Sequence, residues 1–339
     1  MSQPNSPDLR RFGAAQTLDS RGTGAVLDGR YRLEHPIGSG GMGHVWRARH
    51  LHLDRVVAIK LLIPEMKIVA DRLMREAQAL ARVRHPGIVE VYDCGVLEDG
   101  APYLVMECLN GEPLITTLER GPLDQPVAAS LFITVLDALS AAHQVGIVHR
   151  DIKPDNIFLV ADSNGSGKVM PKLLDFGIAR VEADNLRRNT HAGSMLGTPS
   201  YMSPEQFRGH PSDERTDIWG VCATLYETLV GVPPFGFDSM VAIMARVLEL
   251  PVPFPRNVRL DGKLWSILTK GLRKQPEQRF ASAAEMRDAL TKWLATRSGI
   301  PSAERRSETP PPVDSAPEPV GPPRPPTFDE DVKRKFTGD

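Results

Sequence analysis

The stretch HRDIKPDN, His149 to Asn156, gathers an imidazole, a guanidinium, two carboxylates, a lysine and an amide on eight consecutive residues. Pro154 lies among them, which forbids a simple helix. So many polar groups on a short irregular segment mark a site. Upstream, residues 126–144 are mostly apolar and lightly charged, the pattern of a buried helix, and residues 214–230 repeat it. Downstream come IFLV, a short strand, and KLLDFGIAR, a second strand that delivers Asp175 into a glycine-containing turn. The octapeptide is therefore expected on a loop between a buried helix and a strand, at the mouth of a cleft.

The chain has 339 residues, and 41% hydrophobic residues are ample for a packed core. Its 41 basic and 42 acidic side chains nearly cancel, so overall charge argues against nucleic acid or an anionic membrane as the main partner. Cys94, Cys108 and Cys222 are far apart and odd in number, which fits reduced thiols and neither a disulfide framework nor a zinc knuckle. The N-terminus, MSQPNSPDLR, lacks the apolar core of a signal peptide, and no run of about twenty apolar residues is read as a membrane span. The expectation is a cytoplasmic protein. Residues 1–28 are polar and without period, a flexible N-terminal arm; residues 31–297 form the folded unit. Residues 298–339 include TPPPVDSAPEPVGPPRPP and read as a proline-rich disordered tail, either a linker or a docking segment for a partner.

Within the folded unit, YRLEHPI, HVWRARH and RVVAIKLLI are rich in β-branched and aromatic residues and read as an antiparallel meander. The first connection, GSGGMG, has the freedom to bring backbone N–H groups close to a phosphate, or simply to turn a hairpin. In VVAIK, Ala58 and Lys60 share one face of the pleat, about 6.6 Å apart along the strand. A small residue there can lie against an aromatic base while the ammonium reaches phosphates. In IVADRLMREAQALARV, Leu73, Ala77 and Leu80 fall at helical spacing with Glu76 inside the apolar stripe. An inward carboxylate wants a cation, and Lys60 is the candidate; a surface arginine is the alternative. Asp151, Asn156 and Asp175 supply the hard oxygen groups that magnesium and its phosphate partners prefer, although each alone also suits a turn.

Taken together, GSGGMGHV, VAIK, HRDIKPDN, DFG, GTPSYMSPE and KQPEQRF resemble the signature set of protein kinases, most closely the eukaryotic-type (Hanks-type) serine/threonine kinases of bacteria. The resemblance covers roughly residues 31–296. It implies an α+β, bilobal fold: an antiparallel N-terminal β-lobe (31–107) with one key helix, and a larger helical C-lobe (110–297). It implies ATP and magnesium, with manganese as an alternative ion, and transfer of the γ-phosphate to serine or threonine of protein substrates. By the resemblance, Gly38, Ser39, Gly40, Gly41, Met42, Gly43 and His44 form the lid over ATP, and Ile37, Val45 and Ala58 enclose adenine. The main chain of Glu107 and Leu109 bonds the adenine edge, Met106 gates the back pocket, and Lys60, held by Glu76, binds the α- and β-phosphates. Asp175 and Asn156 hold the metal, Asp151 accepts the substrate hydroxyl proton, Lys153 reaches the transferred phosphate, and Thr198 braces Asp151 and Lys153.

Regulation follows the same resemblance. Arg150 precedes the base and is expected to bind a phosphate on the loop of about residues 178–202, at Ser194 or else Thr190, or to pair with an acid instead. Autophosphorylation in trans implies a transient homodimer. Glu205 and Arg279 are expected to form an anchoring ion pair. Two positions depart from the pattern: Ser203 stands for alanine in SPE, and Cys222 stands where glycine is usual. The stretch VADSNGSGKVMPK carries a long turn at NGSG. A catalytically silent scaffold would usually lack Lys60, Asp151 or Asp175, and a small-molecule phosphotransferase would lack GTPSYMSPE; all are present.

Overall fold

Strand β4 (Arg55–Leu62) shows how the N-terminal half folds: Val57, Ile59 and Leu61 alternate with Ala58 and Lys60 across the pleat. The first three pack with Leu27, Leu33, Trp46, Tyr103 and Val105 into one apolar cluster, and Ala58 joins a different cluster on the opposite face. The computed structural model describes residues 22–40, 43–62, 70–161, 169–176, 199–256 and 258–297. Preceding β4 are β1 (Val26–Leu27), β2 (Tyr31–Gly40) and β3 (Gly43–His50). With β5 (Val91–Val96) and β6 (Pro102–Glu107) they make an antiparallel sheet in the order β1-β2-β3-β4-β6-β5. Gly43 opens β3 at φ 150°, where a Cβ would lie 1.9 Å from the Leu61 carbonyl oxygen, so only glycine lets the glycine-rich hairpin close on β4. Helix α1 (Ala70–Leu80) packs beside this sheet and buries Ala77 and Leu80.

The expected arm of residues 1–28 is too long at its C-terminal end. Leu27 is 3% exposed, inside the sheet's core. Asp28 accepts a hydrogen bond from the Tyr103 hydroxyl at 3.0 Å and pairs with Arg30, whose other nitrogen lies 2.8 Å from Asp93. The folded unit therefore includes residues 22–28. A two-residue strand is too short to show a hydrophobic period, and its hold comes from partners far along the chain.

The second lobe is helical. Short helix α2 (Leu114–Leu118) precedes α3 (Gln125–Gln144), and α4 (Pro204–Arg208), α5 (Glu214–Val230), α6 (Met240–Glu249), α7 (Gly262–Gly271) and α8 (Ala283–Ala295) follow. Asp213 caps α5 by accepting from the Arg215 N–H, and Gly231 ends it in the left-handed region at φ 87°. Between those caps α5 is buried from Thr216 through Leu229, and α3, α7 and α8 pack around it. A small antiparallel sheet of β7 (Gly111–Pro113), β8 (Ile157–Ala161) and β9 (Val169–Leu173) lies on the cleft side. The NGSG turn lies outside the described residues.

The expectation that no apolar run is long enough to span a membrane also needs correcting. Helix α3 has that length and apolarity. It buries Leu131, Phe132, Val135, Leu136 and Leu139 in the C-lobe core, which is why its composition is so apolar.

Cys222 is fully buried on α5, and Gly271 at the end of α7 faces it; a Cβ on residue 271 would lie 2.2 Å from the Cys222 Sγ. The thiol occupies the space a side chain at 271 would fill. Gly271→Ala is expected to lower the unfolding free energy by about 1–3 kcal/mol through overpacking. The double variant Cys222→Ala/Gly271→Ala should regain most of it, because removing the sulfur leaves the nearest contact, the residue 222 Cβ, at 3.3 Å. Urea unfolding of both variants checks this.

Candidate active site

HRDIKPDN is held from below by a single buried carboxylate. Asp217, in the first turn of α5 and 1% exposed, accepts from the His149 N–H at 2.8 Å through Oδ2 and from the Arg150 N–H at 2.6 Å through Oδ1. His143 Nε2 at the end of α3 lies 2.8 Å from Oδ2. These bonds keep Arg150 at φ 63°, a left-handed conformation that costs about 1–3 kcal/mol for a side chain such as arginine. His149 is fully buried; burial holds its imidazole below the usual range despite the nearby Asp217 charge, so the ring is neutral. Nε2–H donates to the Leu174 carbonyl at 2.7 Å, and Nδ1 accepts from the Asp151 N–H at 3.3 Å. One ring thus links the octapeptide to the residue before Asp175.

Asp151 is fixed on the cleft wall by its neighbours. Asn156 Nδ2 donates to its carbonyl at 2.7 Å and to Oδ2 at 3.0 Å, and Lys153 Nζ lies 3.2 Å from the same oxygen. The single turn of 3-10 helix at Pro154–Asn156 is what folds Asn156 back onto Asp151. Across the cleft, Lys60 Nζ on β4 is 2.7 Å from Asp175 Oδ1. Asp175 stands at φ 46°, again left-handed. Burial raises its carboxyl, but the Lys60 ammonium, with Lys153 behind it, brings it net below its ordinary value of 3.8, so it is ionised.

Where a pairing of Lys60 with Glu76 is expected, the described geometry shows an ion pair of Lys60 with Asp175. Glu76 sits half-buried on α1 and has interactions of its own. Helical spacing told which face Glu76 takes, but how near α1 comes to β4 is set by tertiary packing.

Asn156 and Asp175 suit a magnesium ion. The Asn156 amide nitrogen is committed to Asp151, which leaves the oxygen as its metal-binding end, and Asp175 is a charged carboxylate. Among the described residues no three His, Cys, Asp or Glu side chains cluster for a metal. One carboxylate and one amide oxygen, completed by water and phosphate, is the donor set magnesium accepts.

Above and behind these polar groups lies a small apolar cluster. Ala58, Val89 and Met106 are its buried members, and Val45, Leu104, Cys108, Leu109 and Leu174 pack around them. It brings together Val45, Ala58 and Met106 from the sheet, Leu109 from the link just after β6, and Leu174 just after β9, a slot for a flat aromatic ligand. Ile37 is 48% exposed at its edge, and Ser39, Gly40 and His44 line the hairpin formed by β2 and β3. Gly41, Met42, Thr198, Ser194 and Thr190 lie outside the described residues.

Beyond the cleft, Arg279 meets Glu205 as a fork at 2.8 and 2.7 Å, with the Thr216 hydroxyl donating to Glu205 at 2.8 Å. Arg279 spends its remaining donors on the carbonyls of Arg273, Lys274 and Arg215. Ser203 keeps the turn open to α4: its N–H and hydroxyl both donate to Gln206 Oε1, and Gln206 Nε2 donates to the Arg150 carbonyl at 2.9 Å. Asp217, Gln206, His143 and Leu174 were not singled out from sequence. Asp217 had a signal there, a carboxylate at the start of the mostly apolar run DIWGVCATLYE.

Residues 31–292 match the protein kinase domain family. The chain belongs to the protein kinase family. The kinase is 39% identical over 295 residues to the serine/threonine-protein kinase pkn3 of Myxococcus xanthus, covering 84% of this chain and 53% of that protein. It is 40% identical over 279 residues to the serine/threonine-protein kinase PknB of Mycobacterium tuberculosis, covering 80% of this chain and 44% of that one. The chain thus spans about half the length of these relatives. With the family established, the sheet and helices above are the two lobes of a protein kinase domain, and the apolar slot is lined by residues of both.

The Glu205–Arg279 pair sets an acid limit on this domain's stability. Burial raises the Glu205 carboxyl, but Arg279 and Thr216 bring it net below its ordinary value of 4.5. A depressed carboxyl contributes stability that is present above that ordinary value and is lost as pH falls through the lower folded one. Glu205→Gln is expected to cost about 3–5 kcal/mol at pH 7, because it leaves Arg279 buried without its charge partner. It should also flatten the loss of stability below pH 4.5. Denaturant unfolding between pH 3 and 7, about the span over which a carboxylate titrates, checks both effects.

Proposed function

We propose that this kinase transfers the γ-phosphate of ATP, with magnesium or manganese, to serine and threonine hydroxyls of proteins. The observation that carries the reading is the convergence of Asp151, Lys153 and Asn156 on one cleft wall, facing the Lys60–Asp175 pair that joins the lobes at 2.7 Å. The names of the relatives support the same class.

Phosphoryl transfer passes through a loose transition state, so alignment and charge neutralisation outweigh base strength. Asp151, steadied on Oδ2 by Asn156 and Lys153, orients the attacking hydroxyl and takes its proton. Lys153 lies close enough to Asp151 to neutralise charge on the moving phosphoryl group, and Lys60 holds the α- and β-phosphates. Asn156 and Asp175 are the residues to hold the metal, which supplies charge neutralisation for the phosphates when bound. The apolar slot takes adenine, with Met106 at its back and the main chain of Glu107 and Leu109 at its edge. Lys153 and Thr198 point to serine and threonine as acceptors.

Arg150 supports control by phosphorylation. Its Nε is buried without a partner among the described residues, and an unmet guanidinium donor attracts an anion. A phosphate on Ser194 or Thr190, added in trans within a transient homodimer, would meet that need. The proline-rich tail offers a docking segment for a partner, and the free thiols favour a reducing cytoplasm. No observation favours a silent scaffold, since Lys60, Asp151 and Asp175 are all in place.

Incubation with γ-labelled ATP and magnesium should label the wild type and a generic Ser/Thr protein substrate. Asp151→Asn and Lys60→Met should each lower transfer by about a hundred-fold or more while leaving the fold intact by circular dichroism. Transfer that survives both changes sinks the assignment.

A further inference from the structure

The carboxylate of Glu107, the last residue of β6, does not face the nucleotide slot. Its Oε1 accepts from the Lys172 ammonium on β9 and from the Glu90 N–H at 2.8 Å, while its own N–H donates to the Glu90 carbonyl at 2.9 Å. Glu107 therefore brackets Glu90 from both main chain and side chain, and ties that bracket to β9. Residues 87–90 are stitched to β9 as well. The Leu173 N–H donates to the Gly87 carbonyl at 2.8 Å, and the Val89 N–H donates to the Leu173 carbonyl at 3.0 Å. Three segments meet at one carboxylate: the link between the lobes, the run that supplies Val89 to the apolar slot, and the strand that continues into Leu174 and Asp175. The Lys172 and Glu107 side chains are only 16% and 20% exposed, so solvent screens the pair less than an exposed one.

We propose that Lys172 is a positioning residue for nucleotide: through Glu107 it sets the spacing between the inter-lobe link, which carries the adenine edge, and β9, which carries the floor of the slot and the metal ligand. Lys172 touches neither ATP nor the reacting atoms. Its loss lets the two walls of the slot drift and weakens ground-state binding of nucleotide, leaving the phosphoryl-transfer geometry at Asp151 intact. This inference rests on the proposed nucleotide-dependent function of the same cleft.

The test compares wild type, Lys172→Met, Lys172→Arg and Glu107→Gln in two ways: the Kd for ADP with magnesium by calorimetry, and the KM for ATP and kcat by labelled phosphate transfer. Lys172→Met is expected to raise Kd and KM together by roughly ten-fold with kcat within about two-fold, the mark of lost binding common to ground and transition states, and Glu107→Gln to raise Kd by a similar factor. Lys172→Arg keeps the charge and should restore most of the affinity. The double variant Lys172→Met/Glu107→Gln should bind no worse than either single one, because both remove the same contact. Thermal unfolding serves as the control: a lowered melting temperature with unchanged Kd would mean a merely structural pair and would overturn the proposal, as would a Lys172→Met variant that binds ADP like the wild type. If the wild type itself binds no nucleotide, the functional reading of the cleft falls first and this inference with it. If the wild type binds ADP yet transfers no phosphate, the calorimetric comparison still decides the role of Lys172.

Discussion

The Asp217 carboxylate is the constraint on which the rest of this kinase depends. A charge buried that deeply costs far more than one hydrogen bond returns, so it persists only with its donors supplied. The octapeptide supplies two of them from its own backbone, and His143 lies against the same group. Each side needs the other. Without the carboxylate, Arg150 would have no reason to stay in a left-handed conformation, and without the loop, α5 would carry an uncompensated charge in its core. The helix that is most thoroughly buried is therefore also the one that aims the reactive loop.

From that point rigidity spreads by short steps. His149 hands the loop's position to Leu174, Gln206 hands it to the turn before α4, and the Glu205–Arg279 fork fixes that turn against the far end of the lobe. The C-lobe behaves as a chassis in which these buried polar groups hold one another. The N-lobe is built on another principle, the two-sided strand, with one face of β4 closing an apolar core and the other presenting Ala58 and Lys60 to the cleft. Lys60 is where the two principles meet, since its partner Asp175 belongs to the chassis.

What could be read without coordinates was local. Alternation in VVAIK put Ala58 and Lys60 on one face, unbroken apolar runs marked α3 and α5, and the proline and small polar residues of HRDIKPDN excluded regular structure. Those patterns are short-range and survive any tertiary arrangement. The Lys60–Asp175 pair did not follow from them, because it rests on the approach of two segments more than a hundred residues apart. The strand at Val26–Leu27 escaped notice for a similar reason: two residues show no period, and the latch on Asp28 comes from Tyr103 and Arg30. Helix α3 shows the opposite failure, where a core helix and a membrane span have the same composition and only its packing tells them apart.

The fit of Cys222 against Gly271 couples two helices by substitution. Two helices touch at a point with room for a single side chain beyond the backbone, and here α5 holds it while α7 cedes it. Moving the bulk from one helix to the other takes two substitutions, and the intermediate holds either a void or a collision. The void is the gentler of the two, since surrounding atoms relax into empty space more readily than backbone yields to overlap. Emptying α5 is therefore the milder first step in any exchange of the two residues, and filling α7 the harsher one.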